Sequence, residues 1–257
     1  MKELTPAAIT FGGSNTYSGV STSRTLMLRE LTSLFATVPA ASSIDDYKYA
    51  IITQNVLLKP SAVTRSKTYS YLRDRFGLNP DIPIFSSLRL LWERDPAGQP
   101  LMALLVAAFR DPVLRSTIPL VIQRSPYQPI LSPEFAEQIN LAFPGKLRDK
   151  TLKSTGENTT STYKQSGHLS GKSHCIRQRV TPTPGSTTLA FLLASLNGSG
   201  GTALFDTEWV QILDSPNESL LAEARIAASR GWLEYRHAGD VLEITFRQLK
   251  SAVGALQ

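Results

Sequence analysis

Apolar residues recur at helical spacing along most of this chain. From about residue 21, Leu26, Leu28, Leu31, Leu34 and Phe35 form one stripe, the signature of an amphipathic helix. Ser42 or Ser43 fits the cap of the next helix, with Asp45 and Asp46 in its first turn, where negative charge is favourable. That helix is predicted over 47–54. After a short break, Pro60 and Ser61 open another, with Ser61 placed to accept a first-turn amide. Leu88, Leu90, Leu91 and Trp92 mark a further helix between breaks at 79–83 and 95–98. Another spans 100–109, Asp111-Pro112 opens one over 113–122, and Ser132-Pro133-Glu134 opens one over 135–143. No strand pattern precedes residue 145.

Beyond Pro182, Pro184 and Gly185 the pattern changes. An apolar helix runs to Leu196, a short helix over 207–213 carries Trp209, and a third over 218–230 closes at Gly231, with Ser215 and Asn217 as candidate caps. Residues 232–246 alternate apolar and polar, turn at Gly239-Asp240, and alternate again, which predicts a β-hairpin. Three helices followed by a two-stranded wing is the winged-helix order. The expectation is a mainly α protein: an irregular lead-in over 1–20, a bundle of six or seven short helices over 21–145 containing a helix-turn-helix-like pair, a connecting segment over 146–180, and a winged-helix-like domain over 181–257.

Charge adds a second layer. The chain of 257 residues carries a net +6, with a pI near 9.5, a balance that favours a polyanionic partner. Residues 146–180 hold 8 Lys/Arg against 2 Asp/Glu, a net +6 in themselves. Their cations are Lys146, Arg148, Lys150, Lys153, Lys164, Lys172, Arg177 and Arg179, a candidate phosphate-binding strip. The second candidate is the helix opened by Ser61. Lys59, Ser61, Thr64, Arg65, Lys67, Tyr69 and Arg73 give it short polar residues at its start and cations along it, the shape of a groove-contacting helix. Arg65, in its first turn and a half, could reach a phosphate or a guanine edge. The same pattern also fits an ordinary helical hairpin with a solvated basic face. The winged module has the better architecture and the poorer chemistry, since Glu218, Glu223, Arg225 and Arg230 leave its third helix close to neutral; such modules also serve as protein-docking surfaces.

Catalytic chemistry is not indicated. His168, His174 and Cys175 cluster, yet no second ligand pair completes a zinc site and no orienting partner makes Cys175 a nucleophile. No Gly-rich phosphate loop is present. Neither a cofactor nor a small-molecule substrate is expected. Tyr69, Tyr71 and Tyr163 lie among cations and could stack on bases, or simply cover helix faces. A single cysteine, no apolar leader and no run long enough to span a bilayer lead to the expectation of a cytoplasmic protein without membrane contact.

Short motifs spread over most of the chain resemble BrxA of the BREX bacteriophage-exclusion systems. They are Gln54-Asn55-Val56-Leu57, then Lys59-Pro60-Ser61, Thr64-Arg65 and Leu72-Arg73-Asp74-Arg75, together with residues 162–169 and the terminal hairpin. The chain departs from that group in its longer Gly/Ser lead-in and its basic insert over 164–179. The resemblance implies a two-domain, mainly helical protein without enzymatic activity, with an N-terminal bundle similar to the antitermination factor NusB. It also implies double-stranded DNA binding within a multi-protein defence assembly, and it points to Ser61, Thr64, Arg65 and Arg73. An RNA-binding antitermination-like factor and a protein-docking scaffold whose charge is incidental are the alternatives.

Overall fold

The structure is a computed structural model that describes residues 3–17, 19–172, 174–238 and 241–247. It is mainly helical, with 14 helices among the described residues. In chain order these are α1 (Pro6–Thr10), α2 (Val20–Ser23), α3 (Leu28–Thr37), α4 (Ile44–Ile52), α5 (Ala62–Phe76), α6 (Pro83–Arg94), α7 (Gln99–Arg110), α8 (Pro112–Arg115), α9 (Ile118–Gln123), α10 (Ser132–Ala142) and α11 (Asp149–Gln165). A two-residue ladder follows, β1 (Leu169–Ser170) with β2 (Ile176–Arg177). Then come α12 (Pro184–Leu196), α13 (Glu208–Gln211), α14 (Asn217–Ser229) and the antiparallel pair β3 (Glu234–Ala238) and β4 (Val241–Thr245).

Local chemistry explains many of the boundaries. At the start of α4, the Ser43 hydroxyl accepts from the Asp46 amide at 3.3 Å and the Asp46 carboxylate accepts from the Ser43 amide at 2.8 Å, a closed capping box. Those bonds hold the Asp46 carboxyl below its ordinary range. Asp111 caps α8 by accepting from the Val113 amide at 2.9 Å, with Pro112 at the first helical position. In β4 the burial alternates, with Leu242 and Ile244 inward and Val241 and Glu243 outward, as the sequence pattern requires. The expected turn at Gly239-Asp240 lies outside the described residues.

Several expectations need correction. The lead-in contains α1, capped by the Thr5 side chain and anchored by the fully buried Ala8; the Thr5 hydroxyl donates to the Leu196 carbonyl at 2.6 Å. The helix over 113–122 is two helices, because the Ser116 and Thr117 hydroxyls donate back to Val113 and Leu114 carbonyls at 2.8 and 2.7 Å and close a turn between them. Ser132 is the first residue of α10 rather than its cap; the Glu134 carboxylate takes the Leu131 amide instead, at 2.8 Å. Neither Ser215 nor Asn217 caps α14, which begins after Pro216 without a side-chain cap. Most of the connecting segment is α11, a helix of 17 residues. Its buried face is Thr155, Gly156, Thr159, Thr160, Thr162 and Tyr163, packed on α10. The hydroxyls of Thr155, Thr160 and Thr162 bond the carbonyl four residues back, so a polar face can be buried. A Cβ on Gly156 would lie 2.5 Å from the Ser132 carbonyl oxygen, which is why the two helices can approach so closely.

The core is centred on α7 and α12. Every residue from Leu101 to Phe109 is buried, and so is every residue from Gly185 to Ala194. The two helices pack on each other; α5, α6 and α8 surround α7, while α13 and α14 surround α12. Phe109 meets Trp209 edge to face at 5.8 Å, joining the first bundle to the last helices. Asp95, at the end of α6, accepts from the Gly185 amide at 2.7 Å and so caps α12; a Cβ on Gly185 would sit 2.5 Å from that carboxylate oxygen.

Candidate nucleic-acid interface

Between Asp46 and Asp74 the chain has no carboxylate and five cations: Lys48, Lys59, Arg65, Lys67 and Arg73. That stretch lies within the α4–α5 hairpin, whose two ends add Asp45 and Asp46 on α4 and Asp74 and Arg75 on α5. The helices pack together, but the connection runs from Thr53 to Ser61, longer than the three- or four-residue turn of a helix-turn-helix. The helix-turn-helix expectation is corrected on that point: α5 is one arm of a helical hairpin. Two non-glycine residues of the connection, Asn55 and Leu58, have positive φ, 53° and 51°. The Asn55 side chain brackets the backbone of Lys59, donating to its carbonyl at 3.0 Å and accepting from its amide at 2.7 Å.

The predicted residues of this hairpin fall into three groups. Ser61 does cap α5, accepting from the Thr64 amide at 3.2 Å, with the Thr64 hydroxyl 2.9 Å from its own. Lys67 is exposed, and Arg65 is half-buried with its Nε shielded from solvent and without a hydrogen-bond partner. Lys59 and Arg73 are neutralised locally: Lys59 donates to Glu30 at 2.9 Å, and Arg73 forks onto Asp74 at 3.0 and 2.8 Å. Both pairs are partly exposed and add little to stability. Tyr69 is a correction, being 8 % exposed on the buried face with Leu72 and Phe76, where it is not free to stack on a base. Burial raises its hydroxyl pKa.

The 146–179 strip is divided. Lys146, Arg148, Lys150 and Lys153 are exposed around the start of α11, the end where the helix dipole disfavours cations. Lys172 and Arg179 are exposed beyond its other end, and Lys164 is tied to the Lys172 carbonyl at 2.8 Å. From Lys150 to Lys164 the helix rises by about 20 Å. Arg177 is a correction: it is 1 % exposed. It donates to the Val121 carbonyl at 3.1 Å and to the Gln178 carbonyl, and pairs with Asp214 at 3.1 Å. Desolvation lowers its pKa, and Asp214 opposes that shift. Arg177 is an internal brace between the ladder and the segment following α13.

Sequence patterns did not reveal that Arg75, Arg89 and Arg115 are also fully buried, bonded largely to backbone carbonyls. Four buried arginines against buried Asp95 and Asp111 mean that part of the basic excess never reaches the surface. His168 is buried as well. Its Nε2–H donates to the Ile212 carbonyl at 2.8 Å, which leaves Nδ1 to accept from the Ser166 hydroxyl at 2.9 Å. Burial holds its pKa down, at about 4, so it is neutral near pH 7. His174 is exposed and Cys175 buried; among the described residues no three His, Cys, Asp or Glu side chains are grouped to hold a metal. Tyr163 is buried, its hydroxyl 3.1 Å from that of Thr117. On the β3–β4 hairpin, Arg236 pairs with Glu243 at 3.6 Å, and α14 carries Glu218, Glu223 and Arg225. No described helix is long and apolar enough to cross a membrane. No family model matches the chain, and no curated protein is similar enough in sequence to count as a relative.

Proposed function

We propose that this chain is a non-enzymatic accessory protein that binds double-stranded DNA, chiefly through its phosphates. The single observation that carries the reading is the run of five cations without a carboxylate on the α4–α5 hairpin. Its helix α5 starts with short hydroxyl residues, continues with a half-buried Arg65 that forms no ion pair among the described residues, and exposes Lys67. Hydroxyls, first-turn amides and guanidinium groups are the usual phosphate contacts. Lys146, Arg148, Lys150 and Lys153 provide a second, flanking set of exposed cations. A place in a bacterial BREX-like phage-defence assembly is part of the proposal on the strength of the resemblance to BrxA alone.

Competition between duplex DNA, structured RNA and heparin tests this reading. Duplex preference that survives near-physiological salt is the expected result. Preference for structured RNA would move the protein to the antitermination-like class, and failure to retain any nucleic acid would leave a docking scaffold.

A further inference from the structure

Leu58 is 86 % exposed, the highest value among the exposed large apolar residues described. Its backbone is left-handed, with φ at 51°, a conformation that disfavours a residue with a Cβ. Met27 and Leu78 share that conformation but are buried, so the core accounts for them; Tyr127, with φ at 69°, is exposed as Leu58 is, but carries a polar hydroxyl. Leu58 has no such return within the fold. The connection nonetheless holds it firmly. Its amide donates to the Asn55 carbonyl at 2.9 Å, the Val56 amide donates to the Ala50 carbonyl at 3.1 Å, and Asn55 and Glu30 fix Lys59 next to it. Val56 and Leu57 pack partly against the core and anchor the loop from below. The cleft beside Leu58, of about 290 Å³, is lined by the Lys59–Glu30 pair and by the exposed Arg29, which leaves one cation in excess there, and Pro60 is exposed beside them.

We infer that Leu58 is a wedge that enters the minor groove of duplex DNA and partly unstacks one base step, an assignment that rests on the DNA-binding reading above. Leucine and proline are among the side chains suited to this role, and inserting one kinks the duplex by roughly 20–90°. A wedge must be apolar, rigid and flanked by phosphate-binding cations; the built loop provides the first two, and Arg29 in the cleft, with the exposed Lys67 on the following helix, provides the third. A docking site for an acidic protein is the competing use of such a surface, and it would not require a strained, stiffened apolar tip.

The test uses the full chain and a short duplex with a central TA step, which unstacks readily. One sample carries dyes at both ends for FRET, another 2-aminopurine beside the step. The parent should raise FRET and 2-aminopurine emission on binding. Leu58→Ala should lose both signals and keep the parent's melting temperature, since the side chain is exposed. The salt slope of log K should stay unchanged, because no cation is removed. Leu58→Phe, which keeps a large apolar side chain, should keep the bend. A parent that binds duplex without bending it, or a Leu58→Ala variant that bends it fully, overturns the wedge and leaves DNA binding standing. A Leu58→Ala variant that bends normally but changes oligomeric state assigns Leu58 to a contact between copies, and also overturns it. No duplex binding by the parent overturns the DNA reading and the wedge together.

Discussion

The α4–α5 hairpin and the 146–179 strip both carry positive charge in sequence, six cations against three acids in one, with the acids confined to its two ends, and eight against two in the other. Folding treats them differently. The strip loses Arg177 to the interior and ties Lys164 to a backbone carbonyl, and its remaining cations divide between the two ends of α11. The hairpin keeps Lys48 and Lys67 exposed, and among the described residues Arg65 forms no ion pair while Lys59 and Arg73 meet carboxylates. Linear charge density is therefore a poor guide to a surface field. What decides is whether a cation has a partner elsewhere in the fold, and Asp214, remote in sequence, claims Arg177.

The largest expected effect at neutral pH breaks the comparison at Arg177. Arg177→Met leaves the half-buried Asp214 without its counter-ion and removes the Arg177 bonds to buried carbonyls, and chemical denaturation should show a loss of about 2–3 kcal/mol. Lys67→Ala on the hairpin should stay within about 0.5 kcal/mol of the parent. A stability change at Arg177 as small as that at Lys67 would return Arg177 to the surface strip.

His168 sharpens the same contrast through pH. Its pKa is about 4 in the fold, against about 6.5 when unfolded. The unfolded chain thus binds the proton more readily, so this contribution is complete above about pH 6.5 and declines as the pH falls towards 4. The slope is about 1.4 kcal/mol per pH unit and the total about 3 kcal/mol. Denaturation midpoints of the parent and of His168→Gln across that window should differ in slope by this amount. Parallel curves would mean that His168 is not held neutral at the junction with Ile212.

A smaller effect is expected at the start of α5. Ser61→Ala removes the cap on the Thr64 amide and should cost about 1 kcal/mol, read by thermal melting. An unchanged melting temperature would show that the connection, rather than the cap, fixes where α5 begins.

Much of the fold was legible in the sequence because the relevant forces are local. The Ser43–Asp46 box, Asp111-Pro112, Ser61 and the alternation in β4 each lie within a few residues of the structure they determine. What escaped notice depends on partners distant in sequence or on polar residues used as core. α11 buries threonines and a glycine, so no apolar stripe announces it. α1 is short and is held by Leu196, which lies far along the chain. The candidate site divides in the same way. Ser61 and Thr64 could be placed from spacing alone, whereas the burial of Tyr69 and Arg177 and the exposed Leu58 could not.

The central claim is that the hairpin, more than the strip, holds the phosphates, and the salt dependence of duplex binding tests it most directly. Replacing Lys48, Arg65 and Lys67 together by alanine should reduce the slope of log K against log salt by nearly three, at about 0.9 for each phosphate left without its cation. Replacing Lys150, Lys153 and Lys172 by alanine should reduce it by less. A hairpin variant that keeps the parent's slope while the strip variant loses it would contradict the account.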